Sequence, residues 1–264
     1  MSEEHFIAVG GNKLHAIVDG KDGAPWLTCL HGLATNATLW DGQVPVFREF
    51  FRVLRTDMRG HGQSEAKTPA ASFDDLIADV IGLWDALGIE RSNVLGISMG
   101  GMTGVGLALS HADRVEKLVA ADCRVDCPQF FFDMWTQRQT LLREKGMDAV
   151  IDVTLPIFFT EETRKNRPGL VALARTMMAG TSEPGYIGAS SSMQKLDFKR
   201  KLSDIRSPTL FISGARDMWH PQEMQEMASL TPDAHYAEIP DAAHISNLEQ
   251  PEIFAKLVLD FLRE

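Results

Sequence analysis

Cysteine is scarce in this chain of 264 residues: Cys29, Cys123 and Cys127 are its three thiols. So few, so scattered, cannot build a disulfide framework or a four-cysteine zinc site. Cys123 and Cys127, four residues apart, are read instead as packing residues. Positive charge is also short, with 26 Lys and Arg against 36 Asp and Glu and a formal net charge of -10. Nucleic acid and anionic membrane surfaces are therefore not expected as partners, because both require clustered cations. The first residues, Met1-Ser2-Glu3-Glu4-His5, lack the basic and apolar regions of a signal peptide, so a reducing cytoplasm is expected. Neither H-x-H-x-D-H nor H-E-x-x-H occurs, so the reading needs no metal and no organic cofactor. Ser92 to Ser110 carries no ionised side chain, yet its five glycines suit a buried strand and helix better than a membrane span.

What is present has the rhythm of an α/β protein. Apolar runs with strand character fall at Leu14 to Val18, Trp26 to Leu30, Phe51 to Arg55, Val94 to Ile97, Val115 to Ala120, Thr209 to Ser213 and His235 to Ile239. From mid-chain they alternate with helical patterns, as a mostly parallel sheet with helices on both faces requires. Phe73, Leu76, Ile77, Val80, Ile81, Trp84 and Leu87 recur at helical spacing, with Gly88 placed to end that helix. A last helix is expected through Ile253, Phe254, Leu257, Val258 and Phe261, opened by Pro251. Between Asp122 and Leu196 the strand candidates stop. The expected organisation is a core of residues 1–121 and 197–264, interrupted by a helical cap at 122–196 that roofs the carboxyl ends of the strands.

Chemistry concentrates at Gly96-Ile97-Ser98-Met99-Gly100, which follows an apolar run and precedes a glycine-rich helical stretch. A G-x-S-x-G turn from strand to helix presents its serine as a nucleophile. Alone it is a weak signal. Asp217, in the loop after the strand ending at Ser213, and His244, after the strand ending at Ile239, follow Ser98 in the order that a Ser-Asp-His relay needs. His244 is the expected general base and Asp217 its partner. Asp122 also follows a strand and is a rival for the acid. Before the serine, His31-Gly32-Leu33 follows a strand directly, so the Leu33 and Met99 amides are the expected oxyanion donors. Asp57 and His61 lack a third ligand at fixed spacing, and the loop from Asp57 to Ser64 reads as hydrogen-bonded scaffold.

His31-Gly32, the Asp57 to Ser64 loop, the Ser98 elbow, Asp217 and His244 together resemble the α/β-hydrolase superfamily over essentially the whole chain. His244-Ile245-Ser246-Asn247-Leu248-Glu249-Gln250-Pro251, Trp135-Thr136-Gln137-Arg138 and Gly185-Tyr186 further resemble the 3-oxoadipate enol-lactonases of aromatic catabolism. Ala121-Asp122-Cys123-Arg124 and Ala243 depart from that group's pattern. The resemblance implies a serine hydrolase that cleaves a small ester or lactone through an acyl-enzyme. Carboxylesterase, C–C hydrolase and perhydrolase chemistry share the same residues, and a ligand receptor is a more distant alternative. An anionic substrate would need local cations, for which Arg124 and Arg138 are the candidates, with Trp135 three residues before Arg138 as a wall of the pocket. Met134, Met147, Met177, Met178 and Met193 are expected in the cap core.

Overall fold

The computed structural model describes residues 2–218 and 221–264. Among these residues eight strands form one sheet: β1 Glu3–Val9, β2 Asn12–Asp19, β3 Trp26–Leu30, β4 Arg52–Thr56, β5 Ser92–Ile97, β6 Val115–Ala121, β7 Thr209–Gly214 and β8 Ala234–Ile239. Their spatial order is β1-β2-β4-β3-β5-β6-β7-β8. β1 and β2 pair antiparallel, as do β2 and β4, and from β4 to β8 every pairing is parallel. All residues of β5 and β7 are buried, which explains their unbroken apolar runs.

β1 is a strand that the hydropathy pattern missed. It lies at the sheet edge and is largely solvated, so its sequence carries no buried alternation. The readable signal is Gly10-Gly11, whose φ angles of 56° and 82° make the two-residue turn into β2.

Among the described residues ten α-helices pack around the sheet: α1 Val44–Phe47, α2 Phe73–Ala86, α3 Met99–Ser110, α4 Gln129–Phe158, α5 Glu161–Asn166, α6 Pro168–Ala179, α7 Glu183–Met193, α8 Pro221–Leu230, α9 Ser246–Glu249 and α10 Pro251–Arg263. α2 opens with Asp75 accepting a hydrogen bond from the Ser72 amide (3.2 Å) and ends before Gly88, at a φ of 68°. α4 is two helical pieces broken at Gly146, where φ is 77°. Helices α4 to α7 all fall between β6 and β7. Their segment starts and finishes at one place on the core, because Asp126 pairs with Asp197 and the Phe198 amide donates to Val125 O (2.7 Å). Met177, Met178 and Met193 are buried there. Cys123 lies instead under α3, where a Cβ on Gly101 would meet its Sγ at 2.9 Å. Among the described residues no helix is long and apolar enough to cross a membrane.

Parallel register aligns the strand ends. Leu30 pairs with Thr56 and Gly96, Ile97 with Ala121, Ala121 with Ile212, and Gly214 with Ile239. The residues that follow β3, β5, β6, β7 and β8 therefore emerge along one edge, where ligands bind in open α/β sheets.

Candidate active site

Ser98 sits between β5 and α3 with φ 53° and ψ -120°, a conformation costly for a side-chain-bearing residue, on the order of 1–3 kcal/mol. The surrounding backbone enforces it. The Ser98 amide donates to Ala121 O (2.8 Å), and the Met102 amide donates to Ser98 O (3.0 Å). The flanking glycines are sterically required: a Cβ on Gly96 would lie 2.2 Å from Gly100 O, and one on Gly100 would lie 2.0 Å from Leu30 O.

The three side chains singled out by chain order meet. His244 Nε2 lies 2.9 Å from Ser98 Oγ, and His244 Nδ1 lies 2.7 Å from Asp217 Oδ2. Burial alone would lower the His244 pKa, but the Asp217 carboxylate, with help from Asp122, outweighs it and raises the imidazole above its usual 6.5. The Phe158 ring stacks on the imidazole, with centroids 5.8 Å apart.

Asp122 directly follows β6 and is fully buried. Its oxygens accept hydrogen bonds from the Gly214 amide (2.7 Å) and the Ser246 hydroxyl (2.5 Å). Burial, with the Asp217 charge beside it, pushes Asp122 up to about 8. It ties the loops after β7 and β8 together, while Asp217 carries the hydrogen bond to the imidazole.

Gly32 approaches the serine so closely that a Cβ there would lie 3.2 Å from Ser98 Cβ, and this places Leu33 beside the nucleophile on the cavity wall. Met99 is the first residue of α3, so its amide has no preceding helical turn to bond. Asp57 accepts hydrogen bonds from the Ala37 amide (2.7 Å) and the Gln63 amide (2.8 Å) and contacts His15 Nδ1 (2.8 Å). That loop is a hydrogen-bonded scaffold beneath the site. Among the described residues no group of three His, Cys, Asp or Glu side chains is placed to hold a metal ion.

A cavity of about 740 Å³, mouth included, opens over Ser98 and His244. Helices α4 and α7 supply much of its wall, including Trp135, Arg138, Phe158, Tyr186 and Met193. The two arginines expected to meet an anion differ. Arg124 lines the cavity, but its guanidinium is paired with Asp126, lies 3.8 Å from Glu223, and stacks 4.4 Å from the Phe131 ring. Arg138 donates to Thr154 Oγ1 and Val153 O and bonds Tyr186, and among the described residues no carboxylate pairs with it. Burial lowers its pKa, with Tyr186 pulling the other way, while burial pushes Tyr186 itself up to about 12. Sequence reading missed Thr154 and Phe158, which carry no signal in an apolar helix. Tyr186 was noted as part of the family pattern, without a role.

Residues 25–251 match the model of the alpha/beta hydrolase fold family. The chain is 30% identical to 3-oxoadipate enol-lactonase 1 of Acinetobacter baylyi, over 100% of this chain and 99% of that one. The crystal structure of the enol-lactonase from Burkholderia xenovorans LB400 superposes with a TM-score of 0.95 at 37% identity, covering 98% of this chain and 100% of that one. A thermophilic esterase from Thermogutta terrifontis, solved with malate bound, superposes with a TM-score of 0.90 at 27% identity, covering 100% of this chain and 98% of that one. The chain is a carboxylic-ester hydrolase of the α/β-hydrolase fold family, and within that family it resembles the 3-oxoadipate enol-lactonases.

Proposed function

We propose that the protein hydrolyses a small anionic ester or lactone, most like a 3-oxoadipate enol-lactone, through a Ser98-His244-Asp217 triad and an acyl-enzyme. The observation that carries the reading is the hydrogen-bonded series from Ser98 Oγ through the imidazole to Asp217, open to the cavity that holds Arg138. Ser98 Oγ attacks the carbonyl carbon while His244 Nε2 takes its proton. The Leu33 and Met99 amides receive the oxyanion charge, an effect worth about 100-fold to 1000-fold for each donor in comparable sites. The C–O bond to the enol oxygen breaks, the imidazolium returns its proton, and the enol tautomerises to the ketone. Water, deprotonated by His244, then releases the acid from Ser98.

The helical insertion at 122–196 caps this chemistry and selects the substrate. Arg138 meets the substrate carboxylate, since a half-buried guanidinium with no carboxylate partner among the described residues offers a fork of donors to an incoming anion. Malate in the esterase relative is likewise a carboxylate ligand. Trp135 walls the acyl portion. Arg124, already neutralised by Asp126, lines the cavity and shapes it. Neither a metal nor an organic cofactor enters the mechanism.

A panel of enol-lactones, saturated lactones and short aryl esters, run beside Ser98→Ala, tests the proposal. The enol-lactone is expected to give the highest kcat/KM, and Ser98→Ala to abolish turnover of every substrate. Full activity in Ser98→Ala would overturn the mechanism, and a preference for neutral aryl esters would overturn the substrate.

A further inference from the structure

The loop that carries His244 is fastened to the helical insertion on both sides of the histidine. On one side the Ala243 amide donates to Glu249 Oε2 (2.6 Å), and the other oxygen of the same carboxylate accepts from the Thr160 amide (3.0 Å) and the Thr160 hydroxyl (2.7 Å). On the other side the Ile245 amide donates to Phe158 O (3.1 Å), and the Phe158 ring stacks on the imidazole. Residues 158–160, where α4 passes into α5, thus grip the histidine loop at three points. Arg167, between α5 and α6, adds a fourth from its guanidinium to Glu249 O (2.7 Å).

Glu249 is 2% exposed, and among the described residues no cation forms an ion pair with its carboxylate. Burying a carboxylate that has hydrogen bonds but no counter-ion is expensive, while an apolar side chain there would leave the Ala243 and Thr160 amides without their acceptor. What the carboxylate provides is two oxygens in fixed relation, one for the residue before His244 and one for the start of α5.

We propose that Glu249 is a positioning residue that couples the insertion to catalysis, setting His244 between Ser98 and Asp217 according to where segment 158–160 sits. This rests on the triad assignment above. Glu249 touches neither Ser98 nor the cavity, so it acts through the loop. Any displacement of α4 and α5, by substrate or by mutation, is transmitted to the imidazole.

Glutamine separates this role from simple packing. Its side chain has one acceptor oxygen, so Glu249→Gln keeps either the Thr160 side or the Ala243 side and turns an N–H toward the other donor. Thr160→Val is a second variant that removes the hydroxyl donor to Glu249, together with the cap that hydroxyl gives the Thr163 amide (3.2 Å) at the start of α5, and leaves the backbone bond. The readouts are the rate of Ser98 labelling by a fluorophosphonate, and kcat and KM for p-nitrophenyl acetate, all per folded molecule. In Glu249→Gln the labelling rate and kcat are expected to fall about 10-fold to 100-fold while KM changes by less than about threefold, the pattern of a misplaced base. Thr160→Val is expected to show the same pattern at about threefold. The acid limb of the rate profile shifts to lower pH in both, because the imidazole loses part of its contact with Asp217.

If Thr160→Val keeps its labelling rate, kcat and pH limb, or if Glu249→Gln lowers thermal stability alone, the coupling is absent and the inference is wrong. Ser98→Ala, measured alongside, keeps the two failures apart. Turnover by that variant would remove the triad reading, whereas an inactive Ser98→Ala beside unaffected Glu249 and Thr160 variants would remove the coupling alone.

Discussion

Across one cavity, the strand ends and the helical insertion treat charge in opposite ways. On the strand-end side and at the root of the insertion the charged groups are already partnered: Asp217 with His244, Asp122 with Gly214 and Ser246, Arg124 with Asp126. On the insertion side Arg138 reaches hydroxyl and carbonyl oxygens while no described carboxylate pairs with it. A satisfied network is stiff and holds reacting atoms in place, and a cation without a counter-ion is available to something that arrives. On the proposal above, the strand ends set the reaction type and the insertion sets the choice of substrate.

The largest expected effect breaks the strand-end side. Asp217→Asn should lower kcat by about 10⁴-fold on every substrate, since the amide favours the wrong imidazole tautomer. Asp122→Asn retains an oxygen for the Ser246 hydroxyl and should cost far less, with steady-state kinetics of the pair giving the ratio. Equal losses, or full activity in Asp217→Asn, would move the acid to Asp122.

On the insertion side, Arg138→Gln should reduce kcat/KM for an ω-carboxy aryl ester by about 10-fold to 100-fold, from the loss of charge-assisted hydrogen bonds. Turnover of the matched neutral ester should be unchanged. Arg124→Gln provides the control within the comparison, because its charge is used internally: thermal stability should fall, and both esters should be affected alike.

A smaller effect concerns pH. His244 must be neutral to accept the Ser98 proton, and its pKa is raised above 6.5, so kcat/KM should fall as pH drops through a value above 6.5. Removing the Asp217 charge lowers that pKa and moves the limb to lower pH. The histidine behind the site behaves oppositely. Burial is the main cause holding His61 at about 3, with His31 adding to it. The folded His61 therefore stays neutral while the unfolded one protonates below about 6.5, which removes stability as pH falls, by about 1.4 kcal/mol per pH unit for one proton. Assigned histidine resonances followed by NMR should show the His244 ring titrating above 6.5 and the His61 ring unchanged down to pH 5.

Chain order singled out Ser98, Asp217 and His244, which the structure brings within hydrogen-bond distance, because they follow strands whose apolar runs are readable and parallel register brings those strand ends together. The same logic recovered α2, α10 and the boundaries of β3. It failed at β1, a solvated edge strand whose hairpin turn at Gly10-Gly11 was the better signal. It could not separate Arg124 from Arg138. Both are arginines near the cavity, and whether a carboxylate stands opposite depends on how α4 packs, which periodicity does not encode. Glu249 stands in the sequence only as part of the family pattern, and its contacts carry no sequence signal for a related reason: its three hydrogen bonds span segments that are 89 and 6 residues away.

The most direct test of the account is rapid-quench mass spectrometry of the protein with a slowly deacylating aryl ester. The expected result is one acyl group, mapped to Ser98, that forms and decays at rates compatible with turnover and is absent in Ser98→Ala. Turnover with no acyl adduct, or an adduct on another residue, would contradict it.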